Sequence, residues 1–148
     1  MAAAVTQTLL VMPAIVLGLI IGIYEAILVH RDVKVPTHRL GHMLHALILA
    51  VVAVFITMNT DWFVTITNLK GLGWYTTPIV IQGLVGIIMM IKIHGTSRAI
   101  KSTVGGGSVG LGETWVHALI VGIACVAAPY VWPFLAPVMP VWLGGTGK

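Results

Sequence analysis

Residues 8–29 read TLLVMPAIVLGLIIGIYEAILV, an apolar stretch in which Glu25 is the one charged side chain. Crossing about 30 Å of hydrocarbon as an α-helix takes about 20 such residues, so this stretch is long enough to span a bilayer. Three further stretches have the same character, and we expect spans at about residues 8–29, 38–58, 77–94 and 114–135. The predicted fold is therefore an all-α integral membrane protein with four transmembrane helices in one domain, residues 1–148.

Charge is scarce along the whole chain, which limits the classes of protein to which it belongs. Only 8% of the 148 residues are charged and 58% are hydrophobic, and the mean hydropathy is +1.03. A soluble domain carries about 25% charged residues, so the lipid bilayer is the expected surrounding. The net charge of +4 comes from Lys and Arg residues scattered near the predicted helix ends without aromatic clusters between them. We therefore expect no nucleic-acid partner.

Spans 1 and 2 are predicted to form a tight antiparallel hairpin. They are joined by a short polar loop at residues 30–37, in which Pro36 should end any helical continuation and Thr37 should cap the next helix. Gly18 and Gly22 in span 1 have the GxxxG spacing that lets membrane helices approach closely. We expect a structural contact between helices at these two glycines.

Three other segments are expected to be irregular. Residues 59–75 mix aromatic side chains, threonines and glycines, which suits a loop at a membrane interface. Residues 94–112 are polar and then glycine-rich, which predicts a flexible connection between spans 3 and 4. In span 4, Pro129 and Pro133 each remove a helical hydrogen bond, so we expect the fourth helix to be broken by a kink and to leave through a non-helical segment.

Basic residues are concentrated in two of the three connections. Three lie around the first connection, three around the third and one in the second: Arg31, Lys34 and Arg39, then Lys92, Arg98 and Lys101, and between them Lys70. Under the positive-inside rule this asymmetry places loops 30–37 and 95–113 in the cytoplasm. Both termini are then predicted to lie outside.

Titratable side chains gather at the cytoplasmic ends of the predicted spans. His38, His42 and His45 recur at i, i+4 and i+7 on span 2, which places them within about 60° on one helix face. Glu25 should lie at a similar depth in the hairpin, and Asp32 should lie on the same face of helix 1 as Glu25. A charged group at that depth is costly unless it is paired or functional.

These residue types support more than one chemistry. Imidazole and carboxylate groups bind first-row transition metals, and histidines from facing helices hold haem. A metal or haem site built from His38, His42, His45 and Glu25, with Asp32 beside it, is one hypothesis, and the cofactor is otherwise unknown. The same residues could instead form a path for protons. A third alternative is a structural Glu–His pair that fixes the register of the hairpin.

Four spans with little mass outside the bilayer favour a subunit over a self-sufficient enzyme. The sequence contains no GxSxG, HExxH or CxxC motif, so no catalytic role of the chain alone is predicted. The first hypothesis is an accessory or structural component of a larger membrane complex, for example a respiratory or monooxygenase assembly, or else a homo-oligomer. The second is a metal- or haem-binding membrane protein, and the third is a small proton or ion transporter or channel.

Overall fold

A computed structural model describes residues 8–32, 36–103 and 115–147, with the side chains of residues 29, 31, 32, 36–39, 42 and 96–103 left out of that description. Five α-helices follow in chain order: α1 (Val11–Asp32), α2 (Pro36–Met58), α3 (Thr60–Ile66), α4 (Pro78–Thr103) and α5 (Trp115–Leu135). Two 3-10 helices cover Leu69–Thr76 and Val141–Leu143. The described residues contain no strand, so the all-α class is confirmed for this part of the chain.

Three of the described helices, α1, α4 and α5, each contain a segment that is long and apolar enough to cross a membrane. The pair α2 and α3 passes the same test together, but the chain turns by 92° between the two helices. Asn59 stands at this corner with a non-helical backbone, φ −124° and ψ 42°. The fold therefore offers three candidate spans, or four if the bent pair is counted as one.

The four long helices form an antiparallel bundle with two distinct ends. At one end, called here the Asn59 end, the backbone N–H of Leu10 donates to Oδ1 of Asn59 at 2.8 Å, so the start of α1 meets the end of α2. Gly144 lies against the ring of Pro13 at this end. At the opposite end, called the His94 end, the ring of His94 in α4 stacks on Trp115 at the start of α5.

Glycines bring α1 and α2 into direct backbone contact. A Cβ atom added to Gly18 would lie 2.6 Å from the Cα of Val51, and one added to Gly22 would lie 2.9 Å from the Cα of Leu47. Any side chain at either position would therefore push the two helices apart. The GxxxG pair, Gly18 and Gly22, faces α2 over about one helical turn, as its spacing predicts.

A second glycine contact joins α4 to α5. A Cβ atom at Gly122 would lie 2.8 Å from the carbonyl oxygen of Gly86, and one at Gly86 would lie 2.6 Å from Cγ2 of Val126. The bundle is thus two glycine-packed helix pairs laid against each other. Their shared core consists of Ala14, Leu17, Ala53, Val54, Met58, Met89, Ile93, Ala118, Val121, Cys125, Ala128 and Trp132.

Two helices extend beyond the predicted spans, and the segment that was expected to be a loop contains helices. Helix α2 begins at Pro36, because proline loses nothing at the first helical position, where its missing N–H would have no partner. Helix α4 continues past His94 to Thr103, because the residues that follow contain no proline and the one glycine, Gly95, does not by itself end a helix. The predicted interfacial loop instead contains α3 and a 3-10 helix that Gly73 divides with a φ of 62°. The predicted cap at Thr37 lies outside the described side chains.

The predicted break within the fourth helix is also wrong. Helix α5 is continuous from Trp115 to Leu135 with Pro129 and Pro133 inside it. The helix ends two residues after the second proline, and a turn and the second 3-10 helix follow. The non-helical exit is therefore confirmed, and the contact that keeps α5 intact at Pro129 is described below.

We expect Gly18→Ala to destabilise the bundle by about 1–3 kcal/mol, because the added methyl group would overlap the backbone of α2. The matched control is Gly41→Ala in α2, where an added Cβ meets nothing within 4 Å. That control should be neutral or should stabilise by up to about 1 kcal/mol through helix propensity. The free energy of unfolding in mixed micelles measures both, and equal stability of the two variants would contradict the close packing of α1 on α2.

Candidate functional site

A buried threonine in α2 compensates for a proline in α5. Thr57 is 1% exposed, and its hydroxyl is within hydrogen-bond distance of two carbonyl oxygens, that of Cys125 in α5 at 2.9 Å and that of Val54 in its own helix at 3.0 Å. In a regular helix that carbonyl would accept the N–H of residue 129, but Pro129 has no N–H. Thr57 supplies the missing donor from a neighbouring helix, which explains why α5 passes through Pro129 without a break.

A buried glutamine in α4 compensates for the corner between α2 and α3. Gln82 is 4% exposed, and its Nε2 donates to the carbonyl oxygen of Thr57 at 3.1 Å. Continuation of α2 would have given this carbonyl the N–H of Asp61, but the 92° turn carries that N–H away. The amide of Gln82 therefore satisfies a second backbone group that an irregular helix leaves open.

The network extends from the core to the surface of α5. The hydroxyl of Tyr130 donates to Oε1 of Gln82 at 2.7 Å, and Tyr130 is 52% exposed. We call Thr57, Gln82 and Tyr130 the Thr57 network. It joins α2, α4 and α5 through uncharged groups, so it suits a structural link better than acid–base chemistry.

Asn59 completes the polar layer at this end of the bundle. Its Oδ1 accepts the N–H of Leu10, a group that has no partner within α1 because it lies at the start of the helix. Its Nδ2 donates to the carbonyl oxygen of Phe55 at 2.9 Å. Asn59 thus ties the start of α1 to the corner at which α2 ends.

Glu25 lies in the interior of the bundle at 3% exposure. It stands about two turns before the end of α1, which is about 10 Å along the helix axis. The side chain therefore faces the other helices of the bundle.

His45 does not join Glu25 in the interior. It is exposed, and it lies two residues before Leu47, about 200° around α2 from the position that contacts Gly22. The side chains of His38, His42 and Asp32 lie outside the described residues, so their predicted role in a metal or haem site stays a prediction. Among the side chains that are described, no group of three or more His, Cys, Asp or Glu residues is arranged to hold a metal ion.

His94 and His117 lie at the opposite end of the bundle from Asn59. The ring of His94 stacks on Trp115 with the ring centroids 3.8 Å apart and the planes 17° from parallel. Both ring nitrogens of His94, and Nδ1 of His117, are buried and have no hydrogen-bond partner among the described residues. The stacking uses the imidazole of His94 as a flat aromatic surface that joins α4 to α5.

Thr57 and Tyr130 were not among the predicted site residues. One sequence signal points to a donor near Cys125, because a proline inside an apolar helix always frees the carbonyl oxygen four residues earlier. The sequence therefore identifies the carbonyl oxygen that needs a donor, but it does not identify the helix that provides the donor.

Comparisons with protein-family models, with curated proteins and with solved structures found no match to this chain.

We expect Thr57→Val to destabilise the protein by about 1–2 kcal/mol, because it leaves the carbonyl oxygen of Cys125 without a donor. In a Pro129→Ala background the same change should cost less than half as much, since the N–H of the new alanine can bond to that carbonyl. A double-mutant cycle on the free energy of unfolding measures the coupling. Thr65→Val, at an exposed hydroxyl bonded within α3, is the control and should be nearly neutral. Additive effects of the two changes would contradict this account of Pro129.

We expect Tyr130→Phe to destabilise the protein by about 0.5–1.5 kcal/mol, because Oε1 of buried Gln82 would lose its donor. Tyr24→Phe is the matched control, since Tyr24 is 42% exposed on α1 and lies outside the Thr57 network. Unfolding of both variants in mixed micelles measures the difference. Equal stabilities would show that the hydroxyl of Tyr130 contributes nothing to the network.

Proposed function

We propose that this chain is an integral membrane protein that serves as a structural subunit of a larger membrane assembly. In this proposal the helices α1, α4 and α5 each cross the bilayer, and α2 with the bent α3 forms the fourth span. The His94 end, which adjoins the basic connections, faces the cytoplasm. The Asn59 end and both termini face the opposite side.

The exposed surface of the helices supports the membrane location. Only 44%, 28% and 33% of the apolar windows in α1, α4 and α5 are buried inside the bundle. More than half of each window therefore faces outward, with large side chains such as Ile27, Ile87 and Ile123 exposed by 51–58%. A surface of this kind is stable against lipid or against other apolar helices, whereas extended exposed apolar surfaces are rare on soluble monomers.

The single observation that carries the subunit role is a groove between α4 and α5. It is about 300 Å³ in volume and almost entirely apolar. Gly83, Gly86 and Gly122 contribute to its walls, so the backbone is accessible there. In a bilayer, helices associate through close van der Waals packing at small residues, and such a groove fits an apolar helix from another chain.

The buried polar residues support the same role. Thr57, Asn59 and Gln82 are all hydrogen-bonded to backbone groups of the bundle. They stabilise helix irregularities and so are committed to the fold. The interior polar groups thus hold the helices of the chain together, and the outer face carries an apolar groove. This combination suits a structural subunit of an assembly.

We expect Gly83→Leu to abolish helix docking at the groove while the fold persists. A Cβ atom at Gly83 meets nothing within 4 Å, so the new side chain would enter the groove without forcing the helix backbones apart. Gly95→Leu is the matched control, because it lies on the same helix, is equally open and does not line the groove.

Photo-crosslinking in native membranes provides the measurement. A crosslinker at Ile87 should capture one defined membrane partner or a second copy of the chain, and a crosslinker at Ile20 on the exposed face of α1 serves as the reference. Gly83→Leu should reduce the Ile87 product about tenfold, and Gly95→Leu should leave it unchanged. An Ile87 product that Gly83→Leu does not reduce, or the absence of any specific product at Ile87, would overturn the proposed role.

A further inference from the structure

A cavity of about 160 Å³ opens at the Asn59 end of the bundle. It lies between the residues that precede α1 and the corner at which α2 turns into α3. Thr8, Asn59, Thr60 and Asp61 give it a polar lining, and Trp62 closes one side. The Thr57 network has no part in the cavity, so the proposed subunit role does not use it.

Thr60 provides an unused polar group within this lining. It is 7% exposed, and its hydroxyl makes no hydrogen bond with any described residue. The hydroxyl oxygen is not one of the fully buried side-chain atoms without a partner, so it keeps some accessible surface. Since Thr60 lines the cavity, its hydroxyl is placed to bond to a molecule bound there.

Asp61 is the one charged residue among those that line the cavity, and its carboxylate makes the cavity negative. It is the one acidic residue between positions 33 and 112, and its carboxylate forms no ion pair within the described part of the chain. The neighbouring Trp62 is held in place by an edge-to-face contact with Phe55, with ring centroids 5.4 Å apart. A carboxylate beside an aromatic ring is a combination that attracts an organic cation.

The size and position of the cavity indicate which kind of organic cation could bind in it. A cavity of about 150 Å³ holds a molecule of the size of benzene, so a group of about six non-hydrogen atoms fits. Trp74 and Tyr75, stacked on each other with centroids 3.9 Å apart, and the exposed Trp142 lie at the same end of the bundle. Such residues favour the headgroup level of a bilayer. At that level, an organic ammonium group is supplied by zwitterionic lipids.

We propose that this cavity binds the primary ammonium group of an ethanolamine-type lipid headgroup. The ammonium N–H groups donate to the carboxylate of Asp61 and to the hydroxyl oxygen of Thr60, and the ring of Trp62 lies beside the cation. A primary ammonium is favoured over a quaternary one because Thr60 can accept only from an N–H. The inference rests on the membrane location assigned under the proposed function and is independent of helix docking between α4 and α5.

Native mass spectrometry of the full chain in mild detergent tests the site. The protein is offered equal amounts of phosphatidylethanolamine, phosphatidylcholine and phosphatidylglycerol with identical acyl chains. The wild-type protein should retain phosphatidylethanolamine about three- to fivefold more than either of the others, the range expected for one partly exposed charge pair. Asp61→Asn should remove this preference, and Thr60→Val should weaken it. Thr65→Val removes an exposed hydroxyl of the same helix that does not line the cavity, and it should change nothing.

Two further measurements distinguish a lipid headgroup from a free amine and a binding role of Asp61 from a structural one. Soluble ethanolamine that binds the lipid-free wild-type protein, but not Asp61→Asn, would assign the same site to a free amine. Equal retention of the three lipids, or a preference that survives Asp61→Asn, would overturn the proposal. If Asp61→Asn lowers the helix content and leaves the lipid preference unchanged, Asp61 serves only to stabilise the N-terminus of α3 through the helix dipole. That result would also overturn the proposal. Gly83→Leu should keep the lipid preference, so failure of helix docking and failure of this site are distinguishable.

Discussion

Backbone hydrogen bonding inside an apolar bundle is the constraint on which the rest of this structure depends. Pro129 removes an N–H group from α5, and the corner at Asn59 removes another from α2. No solvent reaches these positions to replace the lost donors, and an unsatisfied carbonyl in such surroundings costs several kcal/mol by general estimates. Thr57 and Gln82 supply both donors from adjacent helices. Because the two irregularities are satisfied by one network, the axial positions of α2, α4 and α5 depend on one another.

Glycine sets the lateral spacing of the helices in the same way that hydrogen bonds set their axial positions. Gly18 and Gly22 on α1 and the pair Gly86 and Gly122 allow backbones to meet directly. Gly83 lies less than one turn from Gly86, yet nothing in the bundle approaches it. One face of α4 is therefore filled by α5, and the adjoining face is left as an apolar groove. The same residue type closes one interface and leaves an apolar groove beside it.

Much of the architecture follows from the sequence because it depends on local composition or on short spacings. Apolar stretches of about 20 residues place the long helices, and Thr77 followed by Pro78 marks the start of α4. The four-residue spacing of Gly18 and Gly22 indicates the close side of α1. Polar residues after His94 were expected to end α4, and they do not, because polarity and helix formation are separate properties. Pro129 was expected to break α5, and it does not, because a side chain from another helix intervenes.

The candidate sites depend on tertiary structure to a greater degree. Periodicity places His38, His42 and His45 on one face of a helix, but it leaves open which way that face points. The packing of α1 on Leu47 decides that His45 is exposed. Likewise the sequence identifies Pro129 as an unusual residue in an apolar helix, and only the fold brings Thr57 to the carbonyl oxygen that this proline leaves open. The sequence thus determined which segments become helices and which backbone groups need partners. The rotation and axial register of the helices decided which side chains meet them, because these depend on contacts between residues far apart in the chain.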